Sequence, residues 1–544
     1  MHLKKNRIRK NGRLYVYAVI VQSVREGSRV TQKTVRNLGR MKTDEDWGWA
    51  ESVLRAMKRE EEVPEARGLE IKGQCELGGV WAAEELWKSY GVRRTLVDSL
   101  DGRRIEFDLE RVVFLLVVNR LYQPSSDLSA YRWIRDRAYT PTSASVRVKR
   151  QWIYRSLDVL AEEKNRIEEN LLQNLKQSLD LSLDLVLYDL TSTYFEGEGP
   201  GLAEYGYSRD HRPDRKQLVL GVVMADGIPI THHVWTGNTA DKSTLKEVVT
   251  DLRERFGIKK VVLVADRGVI SLPNLEELEK NGYQYILSTK RRRHKLAEEL
   301  LARQVPGTGK TRASEARVTG DRRYILCLDE ETRKTRLKTL RHVREEAGEK
   351  LHELRERYEK SRNRKSRGRP MTGKSARQQV DKILGTSKRL FNVTVGETVK
   401  WELNEKAWLY EKAIAGKFLL VTTSGLEPLQ AMESYKDLKD IEQAFNELKN
   451  LLKLRPIYHR VDKRVKGHIF ICILALLLRR LMEKKTGQTF REIMDKLEKL
   501  KVNHIQFRGK KFQQRNHIDP DQEQLFKTLG VPKPPKILNV ETTR

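Results

Sequence analysis

The hydrophobic pattern changes period along the chain. Residues 13–38, "RLYVYAVIVQSVREGSRVTQKTVRNL", alternate between apolar and polar positions around a turn at 26–28. Alternation puts one face of a strand on a core and the other in solvent, so this stretch predicts a basic β-hairpin. Residues 44–59 have helical spacing, and Pro64 beside a charged run marks a boundary. From about 68 to 177 helical spacing dominates, as in "RVVFLLVVNRLYQPSSDLSAYRWI", with a loop at 140–145 around Pro141.

At Leu183 the period shortens. Residues 183–195 read as a strand, and 217–224 and 228–235 as two more joined at Asp226–Gly227. That dipeptide accepts positive φ and suits a tight hairpin turn. A helix at 241–256, an apolar strand at 260–266, a helix at 272–281 and a strand at 283–289 follow. The order β-β-β-α-β-α-β predicts an α/β core with a mixed sheet. Residues 290–416 interrupt it. They hold a charged helix with Leu340, Ala347, Leu351, Leu354 and Tyr358 on one side, a Gly/Ser/Arg-rich segment, and "LFNVTV" and "AWLYEKAI" as short strands. The core pattern resumes with a strand at 417–423, a long helix at about 433–454 and an apolar helix near Ile469. Its run "IFICILALLL" has ten apolar residues, against about twenty for a bilayer span, so it predicts a buried helix and no membrane partner. The remainder reads as helical and then loose.

Charge narrows the partners. There are 106 Lys+Arg against 75 Asp+Glu, a net charge of +31. Such an excess attracts polyanions, nucleic acid first among them, although ribosome or membrane-surface association would give the same number. Cys75, Cys327 and Cys472 are far apart, which excludes a disulfide framework and a cysteine zinc site and fits a reducing cytoplasm. The basic N-terminal stretch never reaches an apolar signal core. "VPGTGKT" at 305–311 fails as a phosphate loop, because the first glycine would fall at Gln304.

Three carboxylates stand out. Asp189 ends the apolar run of "LDLVLYDLTSTYFE", where a lone buried charge costs several kcal/mol unless paired or bound to metal. It could equally accept hydrogen bonds from Thr191, Ser192 and Thr193. Asp266 ends the strand of "KKVVLVADRG", where α/β folds gather ligands, or it caps the following turn. In "ESYKDLKDIEQAFNELKNLLKL", Ile441, Ala444, Phe445, Leu448 and Leu452 form an apolar stripe with Glu442 at its edge. Lys449 lies seven residues on, which a continuous helix would place on the same face; the pair could also be an ordinary solvated one. Asp440 and Glu447 are expected to point away from the Phe445 side. Together the three acids fit a two-metal phosphoryl-transfer site, whose hard oxygen ligands suit two Mg²⁺ or Mn²⁺ ions.

With those residues in place the chain resembles a DDE-type insertion-sequence transposase, of the subgroup with a β-rich insertion between the second Asp and the Glu. The likeness rests on "YDLTSTYFE", "GYSRDHRPDRKQLVLGVVM", "GNTADKSTL", "VVLVADRGVIS" and "YKDLKDIEQAFNELKNLLKLRPIYHR", and extends to "VNRLYQPSSDLSAYRW" and the N-terminal hairpin. It implies an RNase H-like α/β catalytic core interrupted by a β-rich and helical insertion, with helical flanks. It implies Asp189, Asp266 and Glu442 as the metal-binding catalytic trio. Tyr435 and Lys449 match the family's helix motif, while its Arg position holds Leu438; Lys436 or Lys439 could supply that phosphate contact. Arg267, His211 and Arg212 fall in basic turns expected to face DNA. Residues 360–382 carry nine basic residues and one acidic, and "RGRP", with Arg367 and Arg369, resembles a minor-groove AT-hook core. Trp401 and Trp408 are expected to pack a core rather than hold a flipped base.

The division expected from pattern and resemblance is a DNA-binding hairpin and helix at 1–66 and a DNA-binding helical domain at 67–180. The core would occupy 181–289 and 417–485, with an insertion domain at 290–416 and a helical tail at 486–544. The implied function is binding of terminal inverted repeats and metal-dependent cleavage and strand transfer on double-stranded DNA by a homodimer. Its setting would be the bacterial or archaeal cytoplasm, at the nucleoid. The alternatives are a nuclease without strand transfer and an inactive DNA-binding relative.

Overall fold

In the computed structural model the change of period at Leu183 is where helices give way to the main sheet. The structure describes the chain apart from residues 11–12, 27–28, 60–68, 140–147, 259–261, 266–271, 290–294, 363–369, 508–509 and 543–544. Strands β1 (His2–Lys10), β2 (Arg13–Glu26) and β3 (Arg29–Arg40) pair antiparallel in that order. Helix α1 (Asp44–Arg59) closes a small core around Ala18, Met41 and Ala50. Strand β1 was not expected, because "HLKKNRIRK" offers only Leu3 and Ile8 as apolar markers.

Strand β4 (Leu69–Glu76) leads into a helical block. Its helices are α2 (Gly78–Ser89), α3 (Val92–Ser99), α4 (Leu109–Tyr122), α5 (Asp127–Asp136), α6 (Arg150–Glu162) and α7 (Lys164–Leu179). The Asp108 carboxylate caps α4 through the Arg111 N–H, and the Ser126 hydroxyl caps α5 through the Ser129 N–H. Each satisfies a backbone donor that a helix start leaves open.

The sheet is built from β5 (Leu185–Tyr194), β6 (Gln217–Ala225) and β7 (Ile228–Thr236), then, after α8 (Asp241–Glu254), β8 (Val262–Ala265). Helix α9 (Leu272–Lys280), β9 (Gln284–Ser288), α10 (Lys295–Ala302), β10 (Thr311–Thr319) and β11 (Arg322–Asp329) follow. The β6–β7 turn uses Asp226 at φ 52° and Gly227 at φ 75°, the left-handed pair such turns require. Beyond the sheet lie α11 (Glu330–Arg362), α12 (Gly373–Leu384), β12 (Phe391–Val395), β13 (Val399–Leu403) and α13 (Glu405–Ala413). Strand β14 (Lys417–Thr422) returns to it. The sheet order is β10-β11-β14-β9-β8-β5-β6-β7, with β9, β8 and β5 parallel and the other pairs antiparallel.

Two expectations change here. Residues 290–416 are not one insertion, because β10 and β11 extend the core sheet and only the part from α11 onward leaves it. "AWLYEKAI" forms α13 instead of a strand, started by the Asn404 side chain accepting from the Ala407 N–H. The excursion has its own core, where Leu340, Leu351, Leu354 and Tyr358 of α11 meet Val380, Phe391 and Trp408, with Trp401 packed against them.

The long helix expected at 433–454 is broken into α14 (Pro428–Lys436), α15 (Leu438–Asn446) and a wider π turn at Glu447–Leu451. Helix α16 (Asp462–Thr486) is buried along most of its length, and among the described residues no helix is long and apolar enough to cross a membrane. It lies backbone to backbone on α6: a Cβ on Gly467 would sit 2.1 Å from the Leu157 carbonyl oxygen. With α17 (Phe490–Leu497), β15 (Lys501–Phe507), β16 (Lys510–Arg515), α18 (Pro520–Leu529) and β17 (Ile537–Thr542) the chain forms a further, four-stranded sheet. Its order is β17-β16-β15-β4, so the segment read as helical and then loose does hold two helices, but what was read as loose includes three strands of a sheet that recruits β4.

Candidate active site

Asp189 sits mid-strand on β5, opposite Val222 of β6, and is half-buried. Its neighbour Tyr188 donates its hydroxyl to Thr244 Oγ1 of α8 at 2.7 Å. Successive strand side chains alternate faces, so Asp189 turns to the opposite side. That is the side on which Leu185 and Leu187 border a cleft with Asp437 and Asp440, and across which α15 packs on β5. In the parallel pair, Tyr188 lies beside Ala265. Asp266 and Arg267, which follow Ala265 in sequence, lie outside the described residues.

On α15, Ile441, Ala444 and Phe445 are buried while Glu442 is exposed. The carboxylate therefore stands at the edge of the apolar stripe, on the helix that covers the Asp189 face of the sheet. The π turn beginning at Glu447 changes the helical repeat, so a seven-residue interval no longer places Lys449 above Glu442. Lys449 is nearly buried and its Nζ lies 2.8 Å from Asp210 Oδ1, while Arg455 reaches Oδ2 of the same carboxylate at 2.6 Å. Burial pulls the Lys449 ammonium below its ordinary pKa, against the opposing pull of Asp210.

The remaining residues expected at DNA divide. The Tyr435 ring packs on Phe418 at 5.6 Å, and Leu438 is buried. Lys439 is exposed, whereas Lys436 reaches Asp329 at 2.5 Å. His211 is exposed in a left-handed turn at φ 56°. Arg212 makes two 2.8 Å hydrogen bonds to Asp214 and lies 5.1 Å from the Tyr194 ring centroid. Arg367 and Arg369 lie outside the described residues.

Glu447 departs from expectation. It is 1% exposed and its carboxylate stands 3.3 Å from both Arg479 and Arg480 of α16. The π turn directs it inward, and a neighbouring helix supplies arginines that no local pattern reveals. Burial raises its carboxyl pKa despite the two guanidinium groups.

A cluster not found from sequence joins α4, α5 and α16. Asp127, His459 and His468 hold ligand-type atoms within 4.8 Å of one another. Those atoms are already engaged: His459 Nε2 lies 2.9 Å from Asp127 Oδ2, and His468 Nε2 lies 3.1 Å from the Leu454 carbonyl. The Arg120 guanidinium stands 3.6 Å from Asp127 and 3.4 Å from His468 Nδ1. Burial, then the Arg120 charge, push the His468 pKa down to about 3. A fixed guanidinium beside the neutral His468 imidazole makes this a hydrogen-bonded brace, poorly suited to a second cation. Only the "YHR" at 458–460 could have drawn attention to it.

Residues 182–478, from just before β5 to within α16, match the transposase DDE domain. The chain belongs to the DDE transposase family. Residues 3–67 of the transposase also match the N-terminal domain of IS1634 family transposases, which links it to insertion sequences. No curated protein matches the chain. Among solved structures, it is similar to the piggyBac transposase synaptic complex with hairpin DNA, at 9% identity and a TM-score of 0.36, covering 78% of this chain and 82% of that one. It is also similar to the Mos1 transposase paired-end complex with left transposon end, at 11% identity and a TM-score of 0.15, covering 34% of this chain and 60% of that one. Transposases with this domain generally depend on divalent metal ions. The carboxylate of Asp189 and that of Glu442 on the overlying helix are hard oxygen donors whose chemistry fits such an ion.

Proposed function

We propose that this transposase binds the terminal inverted repeats of its element and cleaves and joins DNA at a site made by Asp189, Asp266 and Glu442 in an RNase H-like core. The reading rests chiefly on the packing of α15 over the face of β5 that carries Asp189. The β5–β8 register supports it, since Tyr188 and Ala265, the residues before the two aspartates, lie side by side. Two Mg²⁺ or Mn²⁺ ions held by these carboxylates would activate the attacking water or 3′-hydroxyl and stabilise the leaving oxygen. The chain's own part is to hold the acids on rigid elements and to position the phosphate. Lys439 and His211 are free to meet DNA phosphates; Lys449 and Arg212 would exchange a carboxylate for one, and Tyr435 would support them. Arg267, Arg367 and Arg369 complete the proposed DNA-facing set.

In this reading residues 1–66 and 67–180 bind the element's ends, and two copies of the chain pair them. The core comprises 181–289 and 417–485, joined by β10 and β11, with the excursion from α11 to α13 as the insertion and 486–544 as a closing sheet and helices. The cytoplasm, at the nucleoid, is the proposed setting. The deciding experiment incubates the protein with the DNA flanking its element and Mg²⁺, then maps the products. Cuts at the element's ends together with joined strands support transposition; cuts without joining would reduce the reading to a nuclease.

Binding should weaken steeply with salt, because each neutralised phosphate releases counterions. Replacing Arg364, Lys365, Arg367 and Arg369 by Ser should lower the logarithmic salt slope by about 0.9 for each duplex phosphate that is no longer neutralised. Substitution is the suitable test, since deleting through 382 would remove Ala376 and Val380 from the insertion core. An unchanged slope would show that this segment does not touch DNA.

A further inference from the structure

A cavity of about 780 Å³ opens where the helical block meets the 453–461 segment before α16. Its lining includes Arg120, Arg150, Lys453, Arg455, Arg460 and Arg464, and one carboxylate, Asp127. That carboxylate is already matched by His459 and Arg120. Arg455 pairs with Asp210 and Arg464 with Asp158. Arg150, Lys453 and Arg460 are exposed and, among the described residues, have no carboxylate partner. An excess of positive charge inside a concave, partly low-dielectric wall concentrates field and favours an anion there.

The cavity is built rather than incidental. Arg120 is 4% exposed and is fixed by Asp127, His468 and the Lys453 carbonyl, to which it donates at 3.3 Å. Lys453 itself is held at φ 48°, a left-handed conformation uncommon outside glycine. Tyr458 at the rim is 67% exposed and makes no ring contact or hydrogen bond among the described residues. Tyr154, deeper in, stands edge-on to His459. At the edge of the cavity Arg455 lies 5.1 Å from the ring centroid of Tyr194, about 17 Å along β5 from Asp189 and on the opposite face of that strand.

This volume falls in the range of small-ligand sites, about 300–1,000 Å³. It can take one or two nucleotides of a single strand and not a duplex. Cations beside an open aromatic face are the means by which proteins hold unpaired nucleic acid, through phosphate contacts and base stacking. Resting on the DNA reading above, we propose that the cavity grips an unpaired stretch of the DNA strand, with phosphates at Lys453, Arg460 and Arg150 and a base on Tyr458.

The test uses the full-length protein and two fluorescent probes, a twelve-nucleotide oligo-dT and a duplex of equal length, across a salt series. The double variant Lys453→Asn/Arg460→Ala keeps a residue that tolerates left-handed backbone and removes no internal ion pair, so its melting should match wild type. It should bind oligo-dT about tenfold more weakly or worse, with the salt slope reduced by about 1.4, or 0.7 per phosphate. Duplex binding should change little. Tyr458→Ala should weaken oligo-dT binding about tenfold with the slope unchanged, since stacking releases no counterions. Unchanged oligo-dT affinity and slope in the double variant would overturn the proposal. Equal weakening for oligo-dT and duplex would also overturn it, by making the cavity a duplex-phosphate site. A wild-type protein that binds neither probe would overturn the DNA reading itself, and this proposal with it.

Discussion

Asp189→Asn should cut DNA at less than about one-thousandth of the wild-type rate while binding it normally. A metal-stabilised transition state is worth several kcal/mol, and about 4 kcal/mol is a thousandfold. The amide keeps the shape of the side chain but removes the charge a divalent ion needs. Binding should survive because DNA affinity comes from lysines and arginines spread over the molecule. Glu442→Gln should behave alike, since its exposed side chain has no structural task that the amide would undo. Asp440→Asn, two residues earlier on the cleft shared with Leu185 and Leu187, should stay active. Gel shifts and cleavage assays on the same preparations would decide. Near-normal cutting by Asp189→Asn or Glu442→Gln would remove that residue from the proposed site.

Glu447→Gln should destabilise the protein severely, although Glu447 lies only five residues from Glu442. Its carboxylate is the buried counter-charge for Arg480 and shares Arg479 with Glu483. Removing one partner of a buried ion pair leaves an uncompensated charge and costs about 3–5 kcal/mol. The expected readout is a lower thermal midpoint and faster proteolysis. Adding Arg480→Met should restore part of the stability by removing the charge left without a carboxylate, since Arg479 keeps Glu483. A melting curve like wild type for the single variant would show that the arginines find other partners. The contrast between the two glutamates follows from the backbone: Glu442 rides a regular helix and faces out, while Glu447 opens a π turn and faces in.

What could be read from the sequence was local and periodic. The strand carrying Asp189, the hairpin at Asp226–Gly227, the buried face of α15 and the buried α16 each announce themselves through spacing or turn chemistry. The misses share a different cause. Strands β10 and β11 look like part of an excursion because β14, through which β11 joins the sheet, comes about ninety residues later. Strands β15 and β16, in "KVNHIQF" and "KKFQQR", are too polar for a core strand and find their place only by pairing. The brace of Arg120, Asp127, His459 and His468 and the inward turn of Glu447 depend on side chains from separate elements. No pattern within one element encodes such meetings.

The sheet that joins β4 to β15 has a consequence for how the molecule is made. Gln74 donates its side-chain amide to Asn503, 429 positions away. At ordinary translation rates of about 5–20 residues per second, β4 leaves the ribosome about 20–90 s before its partner exists. During that interval an emerging chain carries an open strand edge, the feature that invites pairing with other chains. A message broken anywhere before residue 501 would leave that edge permanently unmatched. Its product should be taken by chaperones and proteases in preference to accumulating as a partly functional protein. Pairing of β4 thus waits for the synthesis of β15, so this part of the fold cannot form while the ribosome is still short of it.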